Sequence, residues 1–167
     1  MVLNLKVKAK RYFTLEIVEQ TDKVTVYSIL FDDEEENEFM KFINKYSGIS
    51  SFIHDVQRIT YYIEKIKENG VLERYFRPEG KPAQNIKAIP VETSKLRLYA
   101  IRLSDNILIL GNGGHKKTRT YNEDPQLNEC VEHLAQLSFI LQLKIEAGVI
   151  NLESNKLSGD LSFYFKE

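Results

Sequence analysis

The first thirty residues alternate between apolar and polar side chains, which is the pattern of a β-strand with one buried face. The apolar positions are Leu3, Leu5, Val7 and Ala9, followed by Phe13, Leu15 and Ile17. A polar break at 20–23 then precedes a β-branched and aromatic run over 24–31. We therefore predict an N-terminal β-hairpin within residues 1–33.

Two helices are predicted next, because apolar residues then recur at helical spacing. The first follows the acidic run DDEEENE, whose charges suit the dipole at a helix N-terminus. The second ends at Asn69 and Gly70. Their apolar positions are Phe39, Phe42, Ile43 and Tyr46 in the first helix, and Ile53, Val56, Ile63 and Ile66 in the second. The short linker over 47–50 predicts an antiparallel helical hairpin.

Short strands separated by turns follow, which predicts an antiparallel meander. The strands are predicted over 71–76, 86–91, 96–103 and 107–110, with the loop RPEGKP between the first two. The run ILIL at 107–110 shows no alternation, so we predict a central strand that is buried on both faces. The segment GNGGHKKT after it is predicted to leave the sheet.

A last helix is predicted to begin with Asp124 as its N-cap and Pro125 at the first helical position, and to end at Gly148. The tail then returns to strand alternation at Leu161, Phe163 and Phe165. The fold class is therefore α+β, in one domain over residues 1–167. A core over 34–147 carries two β extensions, the hairpin at 1–33 and the tail at 148–167.

Positive charge is concentrated in the middle of the chain. The net charge of the 167 residues is −1, but residues 71–121 hold 10 Lys and Arg against 4 Asp and Glu, a balance of +6. The flanking segments are acidic, which opposes non-specific attraction to polyanions. The distribution favours a local binding site for an anionic ligand over non-specific binding of nucleic acid across the protein surface.

Composition narrows the protein class further. No segment approaches the length of a membrane span, and the N-terminus lacks the continuous apolar stretch of a secretory signal, so we expect no membrane partner and a cytoplasmic location. Cys130 is the only cysteine, and its helical position favours a buried filler over a nucleophile. His54, His115 and His133 lack metal-binding spacing, so no metal and no cofactor are expected.

Two elements of the cationic segment carry candidate chemistry. In the strand LRLYAIRL, Arg97 and Tyr99 point to the same face, so a guanidinium lies beside a ring and can hold a phosphate next to a stacked base. In GNGGHKKT, three glycines precede His115, Lys116 and Lys117, and the backbone amides and ammonium groups can share one anion. The ordinary alternatives are an exposed sheet face and a glycine-rich surface turn.

The order of these elements resembles the RelE/ParE superfamily of toxins from bacterial toxin-antitoxin systems, in particular its HigB-like branch. In those toxins a strand of the form R-x-Y precedes an aliphatic strand and a lysine-pair turn, matched here by Arg97, Tyr99, residues 107–110 and Lys116-Lys117. Pro125 and the helix after it also fall in the expected place. The chain departs from the pattern in its termini, its mildly acidic net charge and its GNGGH segment.

The resemblance implies a ribosome-dependent mRNA endoribonuclease in which a ribose 2′-hydroxyl attacks its own 3′-phosphate. Arg97 and Lys117 would stabilise the phosphate, His115 or Lys116 would transfer protons, and Tyr99 or Tyr121 would stack or transfer protons. The remaining candidates for RNA binding are Arg77, which is a possible second clamp, together with Arg102, Asn112, Gly113, Gly114 and Arg119.

The implied partners are RNA, the ribosome and a helix-turn-helix antitoxin protein, and a homodimer is left open. Two alternatives remain. One is a non-catalytic member of the same fold that acts as a binding protein or a gyrase-type inhibitor. The other is an interaction domain that docks an acidic partner through the cationic segment.

Overall fold

A computed structural model describes residues 9–79, 85–92 and 94–167. Within these ranges the chain forms nine β-strands and three α-helices, so the fold is α+β as predicted. The strands are β1 (Lys10–Gln20), β2 (Thr25–Phe31), β3 (Arg77–Pro78), β4 (Ile86–Ile89), β5 (Leu96–Ser104), β6 (Ile107–His115), β7 (Ile150–Leu152), β8 (Leu157–Gly159) and β9 (Ser162–Lys166). The helices are α1 (Glu38–Ser47), α2 (Ile53–Asn69) and α3 (Pro125–Glu146). None of the described helices combines the length and apolar character that a membrane span requires.

Seven strands form one sheet in the order β3-β4-β5-β6-β2-β1-β9. The predicted hairpin is confirmed as β1 and β2, and the predicted meander is confirmed for β4, β5 and β6. The edge strand β3 lies at the start of RPEGKP, where the prediction of a loop is wrong for Arg77 and Pro78. Neighbouring strands are antiparallel except β2 and β6, which run parallel from Thr25↔Ile107 to Ser28↔Leu110. The N-terminal hairpin therefore belongs to the same sheet as the meander.

Helices cover both faces of this sheet. A hydrophobic cluster that includes Phe42 and Ile59 packs α1 and α2 on one face, and a cluster that includes Leu137 packs α3 on the other. Residues 107–110 contribute alternately to the two clusters, and each of them is 0% exposed. The prediction of a central strand buried on both faces is confirmed.

The start of α3 is built by local capping, as predicted. Asp124 Oδ1 accepts hydrogen bonds from the backbone N–H groups of Gln126 (2.9 Å) and Leu127 (3.2 Å), and Pro125 takes the first helical position. At the other end Gly148 has a φ of 75°, the left-handed conformation in which glycine commonly follows a helix.

The predicted strand over 71–76 is wrong, because the chain forms a 3-10 turn over Glu73–Tyr75. Gly70 leaves α2 with a φ of 106°, and the N–H of Val71 then donates to the carbonyl of Asp105 at 2.7 Å. Val71 and Tyr75 are buried in the cluster around α2. Their apolar side chains therefore pack the helical layer without taking part in a strand ladder.

The prediction that GNGGHKKT leaves the sheet is wrong for its first five residues, since β6 continues to His115. Gly113 lies opposite Leu98, and a Cβ on Gly113 would lie 1.8 Å from the carbonyl oxygen of Arg97. Glycine in a strand often marks such a close backbone approach. Neither Gly113 nor Gly114 has a positive φ angle, so these glycines serve strand contact and not an anion-binding loop.

The C-terminal strand is confirmed as β9, which pairs with β1 and buries Phe163 and Phe165. The short strands β7 and β8 form a separate two-stranded sheet that the sequence did not predict. Residues 3–8 of the predicted first strand and residues 80–82 of the predicted loop lie outside the described residues.

Replacing Gly113 with alanine should destabilise the protein, because the added Cβ would collide with backbone and not with a flexible side chain. We expect a loss of about 1–3 kcal/mol or more in the free energy of unfolding, measured by urea denaturation. Gly48→Ala is the matched control, since nothing lies within 4 Å of a Cβ at Gly48. Equal stability of the two variants would contradict the close approach of β5 and β6.

His133 joins α3 to β9 by stacking on Phe165, with ring centroids 4.6 Å apart and planes 4° apart. Burial lowers the pKa of His133, while the charges of Glu129, Glu167 and Glu38 act in the opposite direction and Arg11 adds to the lowering. The imidazole is therefore easier to protonate in the unfolded chain than in the folded one. Its contribution to stability must fall as pH drops below the ordinary histidine value of 6.5.

His133→Phe retains a ring against Phe165 but cannot be protonated. We therefore expect the variant to lose less stability than the wild type between pH 7 and pH 5. Thermal denaturation of both proteins across this pH range measures the effect. Parallel curves for the variant and the wild type would show that His133 does not titrate as its burial implies.

Candidate phosphate-binding site

Strand β5 divides its side chains between the two faces of the sheet. Leu96 and Leu98 belong to the cluster under α1 and α2, whereas Tyr99 belongs to the cluster under α3. Alternation places Arg97 on the same face as Tyr99, as the sequence predicts. Arg77 lies opposite Ala88, which in turn lies opposite Tyr99, so Arg77 shares this face at the edge of the sheet.

Arg97 is the most unusual residue on this face, because it is only 2% exposed. One guanidinium nitrogen, Nη1, donates to the carbonyl oxygens of Ser94 (2.9 Å) and Leu96 (3.2 Å). The Nε hydrogen has no acceptor among the described residues. Burial lowers the pKa of Arg97, and the neighbouring charge of Arg77 lowers it further. A cation held without a bonded carboxylate is costly to bury, which marks Arg97 as a candidate for function.

Tyr99 is fully buried, and its hydroxyl also has no hydrogen-bond partner in the described part of the chain. Burial strongly raises its pKa, so the hydroxyl remains protonated and is a donor. Its ring lies edge-on to that of Tyr121, with centroids 6.5 Å apart. Tyr121 belongs to the turn that precedes α3, and it is half-buried against the same cluster. The structure thus brings the two predicted tyrosines together on the face that carries Arg97.

Glu79 is the residue of this site that the sequence did not single out. It follows β3, its N–H donates to the carbonyl of Ile86 at 3.1 Å, and its side chain is half-buried. Burial raises the pKa of Glu79, while the charges of Lys116, Arg77 and Arg97 lower it. The signal for it was the pair Arg77 and Glu79, two positions apart and therefore on one face if RPE is a strand.

We call Arg77, Glu79, Arg97, Tyr99 and Lys116 the Arg97 cluster. It combines one carboxylate of raised pKa with three cations and a buried hydroxyl donor. Such a set can hold a phosphate group and exchange a proton beside it.

The basic residues after β6 differ in their relation to this cluster. Lys116 is half-buried, its backbone N–H donates to the carbonyl of Lys95 at 2.8 Å, and its charge acts on Glu79. Lys117 is exposed. The side chain of Arg119 is 89% exposed and lies 3.9 Å from Glu123, a geometry that contributes little. Of the three, only Lys116 is placed in the cluster.

His115 lies on the opposite face of the sheet from Arg97. Its cross-strand neighbour Leu96 belongs to the cluster under α1 and α2, and its ring packs edge-on against Phe52 at 5.0 Å. The predicted convergence of His115 with Arg97 is therefore wrong. His115 directly follows Gly114, the partner of Arg97, and consecutive residues of a strand point to opposite faces.

Arg102 is also separated from the cluster, because it lies at the far end of β5. Its Nε donates to the carbonyl of Val71 at 2.7 Å, and its Nη2 bonds with Asp105. These contacts hold the turn after α2 against the sheet. The backbone of Gly114 pairs with β5, and a Cβ there would touch Leu127 at 3.1 Å, so this glycine too serves packing.

Asn112 contributes to a second polar region, where a cavity of about 180 Å³ lies between α1 and α3. Its Nδ2 donates to Glu38 at 2.6 Å, and Lys41 lies 3.2 Å from Glu38 and 2.7 Å from Glu34. Arg11 also contacts Glu34, at 2.5 Å. Because the cations of this region already have carboxylate partners, the Arg97 cluster is the stronger candidate for an anion.

Comparisons with protein-family models, with curated proteins and with solved structures found no significant match.

Proposed function

We propose that this protein is a toxin-like endoribonuclease that cleaves ribosome-bound mRNA in the cytoplasm, with the Arg97 cluster as its site. The observation that supports the proposal is the buried Arg97 guanidinium, 2% exposed and with its Nε unpartnered among the described residues, on one face with Tyr99 and Arg77. The charges of Arg77, Arg97 and Lys116 also act on the half-buried Glu79 carboxylate, whose pKa burial raises. Cleavage by a ribose 2′-hydroxyl needs a proton acceptor next to cations that stabilise the phosphorane, and this cluster holds both. The proposal also rests on the resemblance to the RelE/ParE toxins.

The geometry changes the roles that the resemblance assigns. Glu79 replaces His115 as the proton acceptor, because His115 lies on the other face of the sheet. Arg77 and Lys116 are half-exposed and contact the phosphate. Arg97 is only 2% exposed, so it stabilises the negative charge of the phosphate mainly through its electric field.

In the proposed step, Glu79 takes the proton of the 2′-hydroxyl as its oxygen forms a bond to phosphorus. The bond from phosphorus to the 5′-oxygen breaks, and the Lys116 ammonium gives a proton to that oxygen. The products are a 2′,3′-cyclic phosphate and a 5′-hydroxyl. A raised pKa brings Glu79 nearer to the working pH and makes it a stronger base than an ordinary glutamate.

Glu79→Gln should reduce the rate of mRNA cleavage by about 10²- to 10⁴-fold, since the amide keeps the shape but cannot accept the proton. Primer extension on transcripts from a reconstituted translation system measures cleavage. Lys156→Ala, an exposed lysine near β8, is the control and should cleave normally. Wild-type cleavage by Glu79→Gln would contradict the assigned base.

Absence of cleavage by the wild-type protein would favour the non-catalytic binding protein. In that case 2′-O-methyl RNA should still bind. Arg77→Ala and Lys116→Ala should each reduce the slope of log binding constant against log salt concentration by about 0.7. Binding of an acidic peptide in place of RNA, lost in the same two variants, would favour the interaction domain.

His115→Phe should leave cleavage unchanged, because phenylalanine preserves the ring contact with Phe52 and His115 lies away from Glu79. The same primer-extension measurement tests this. A loss of cleavage of 100-fold or more, with stability retained, would restore the acid-base role that the sequence suggested.

A further inference from the structure

The outer edge of β9 is an open strand edge among the described strands. β9 is the last strand of the sheet and pairs on one side only, with β1. The N–H of Glu167 donates to Ala9, and the N–H of Leu15 donates to Leu161. In an antiparallel pair this places the odd-numbered residues of β9 toward β1, so the backbone groups of Tyr164 and Lys166 point outward. Ser162 also faces outward, but its N–H donates to Asp160 and its carbonyl accepts from Lys144.

An apolar groove of about 610 Å³ runs beside this edge, between β9 and α3. Its α3 wall carries Phe139, which is 65% exposed, and Leu143, which is 50% exposed. Tyr164 lines the strand side. Large apolar side chains grouped along an open strand edge mark an interaction surface more often than scattered ones do.

Three ammonium groups near this edge have no carboxylate partner among the described residues. Lys144 and Lys166 line the groove, and Lys10 lies next to it on the Tyr164 side of the sheet. Lys144 Nζ bonds to the carbonyl of Ser162 at 2.8 Å and lies 4.5 Å from the centre of the Phe163 ring. Lys10 lies 4.6 Å from the centre of the Tyr164 ring, and it is directly opposite Lys166 in the strand pair. Like charges placed opposite each other are destabilising, so acidic groups from outside would relieve the repulsion.

The same charges disfavour a second copy of this chain as the occupant. If two β9 strands paired antiparallel about Tyr164, Lys166 of one copy would lie opposite Ser162 of the other, whose carbonyl is bonded to Lys144. That arrangement would bring Lys166 of one copy next to Lys144 of the other, and the like charges would repel each other.

We propose that β9 and the groove along α3 bind an extended, acidic segment of a partner protein as an added strand. Alternate apolar residues of the segment pack on Phe139 and Leu143, while its backbone pairs with the outward groups of Tyr164 and Lys166. Its carboxylates contact Lys10, Lys144 and Lys166. This surface is independent of the proposed cleavage site.

The test uses two labelled ten-residue peptides with valine at alternate positions and either glutamate or lysine between them. Fluorescence anisotropy should show binding of the glutamate peptide at least 10-fold tighter than binding of the lysine peptide, weakening as salt rises. Lys144→Glu should reduce this preference.

Two further variants test the strand edge and the groove. Tyr164→Pro removes an outward N–H that β1 does not use, and it should bind the glutamate peptide at least 10-fold more weakly than its matched control Tyr164→Val. Phe139→Ser should weaken binding, whereas Tyr61→Ser, at a tyrosine of α2 that is 53% exposed, should not.

Equal affinity for the two peptides, or unchanged binding in both Tyr164→Pro and Phe139→Ser, would overturn the proposal. A wild-type dimer in light scattering that Phe139→Ser converts to a monomer would also overturn it, since a second copy would then cover the groove.

Discussion

The parallel pairing of β2 with β6 is the interaction on which the rest of the structure depends. Parallel neighbours cannot be joined by a tight turn, so the chain between them must cross the sheet, and it does so through α1 and α2. That crossing covers one face and sets the meander beside the N-terminal hairpin. Strand β6 thereby becomes central, and α3, which follows it, covers the other face.

The candidate site follows from how closely β5 and β6 approach each other. The carbonyl of Arg97 lies where a Cβ on residue 113 would otherwise stand, which only glycine allows. The pairing register of β5 with β6 also shifts between Leu98 and Ala100, because β6 has one additional residue there. Tyr99 is buried in the cluster under α3 with Tyr121 against its ring, and Arg97 is 2% exposed on the same face of β5. Two half-buried carboxylates act on the buried Arg97 cation, and they are Glu79 and Asp55. Asp55 already accepts hydrogen bonds from Ser94 and Lys95, so Glu79 is the carboxylate that we assign to the site.

The two proposed working surfaces lie at opposite ends of the sheet order. The Arg97 cluster adjoins β3 and β5, whereas the open strand edge belongs to β9. Six strand spacings separate β3 from β9, about 29 Å at the usual distance between strands. A segment bound at β9 therefore leaves the Arg97 cluster uncovered, and the two surfaces can be tested separately.

The sequence by itself determined the elements whose periodicity is strong: the hairpin, both helices of the helical hairpin, the buried ILIL strand and the capped start of α3. It also placed Arg97 and Tyr99 on one face, because strand alternation is a local property. Tertiary structure decided the remainder. GNGGH has the composition of a loop, yet its glycines fit close contacts in the folded chain, Gly113 with β5 and Gly111 and Gly114 with α3. This extension of β6 turns His115 away from Arg97. The spacing of Arg77 and Glu79 was the only local signal for Glu79, because the burial that raises its pKa is provided by the packed sheet.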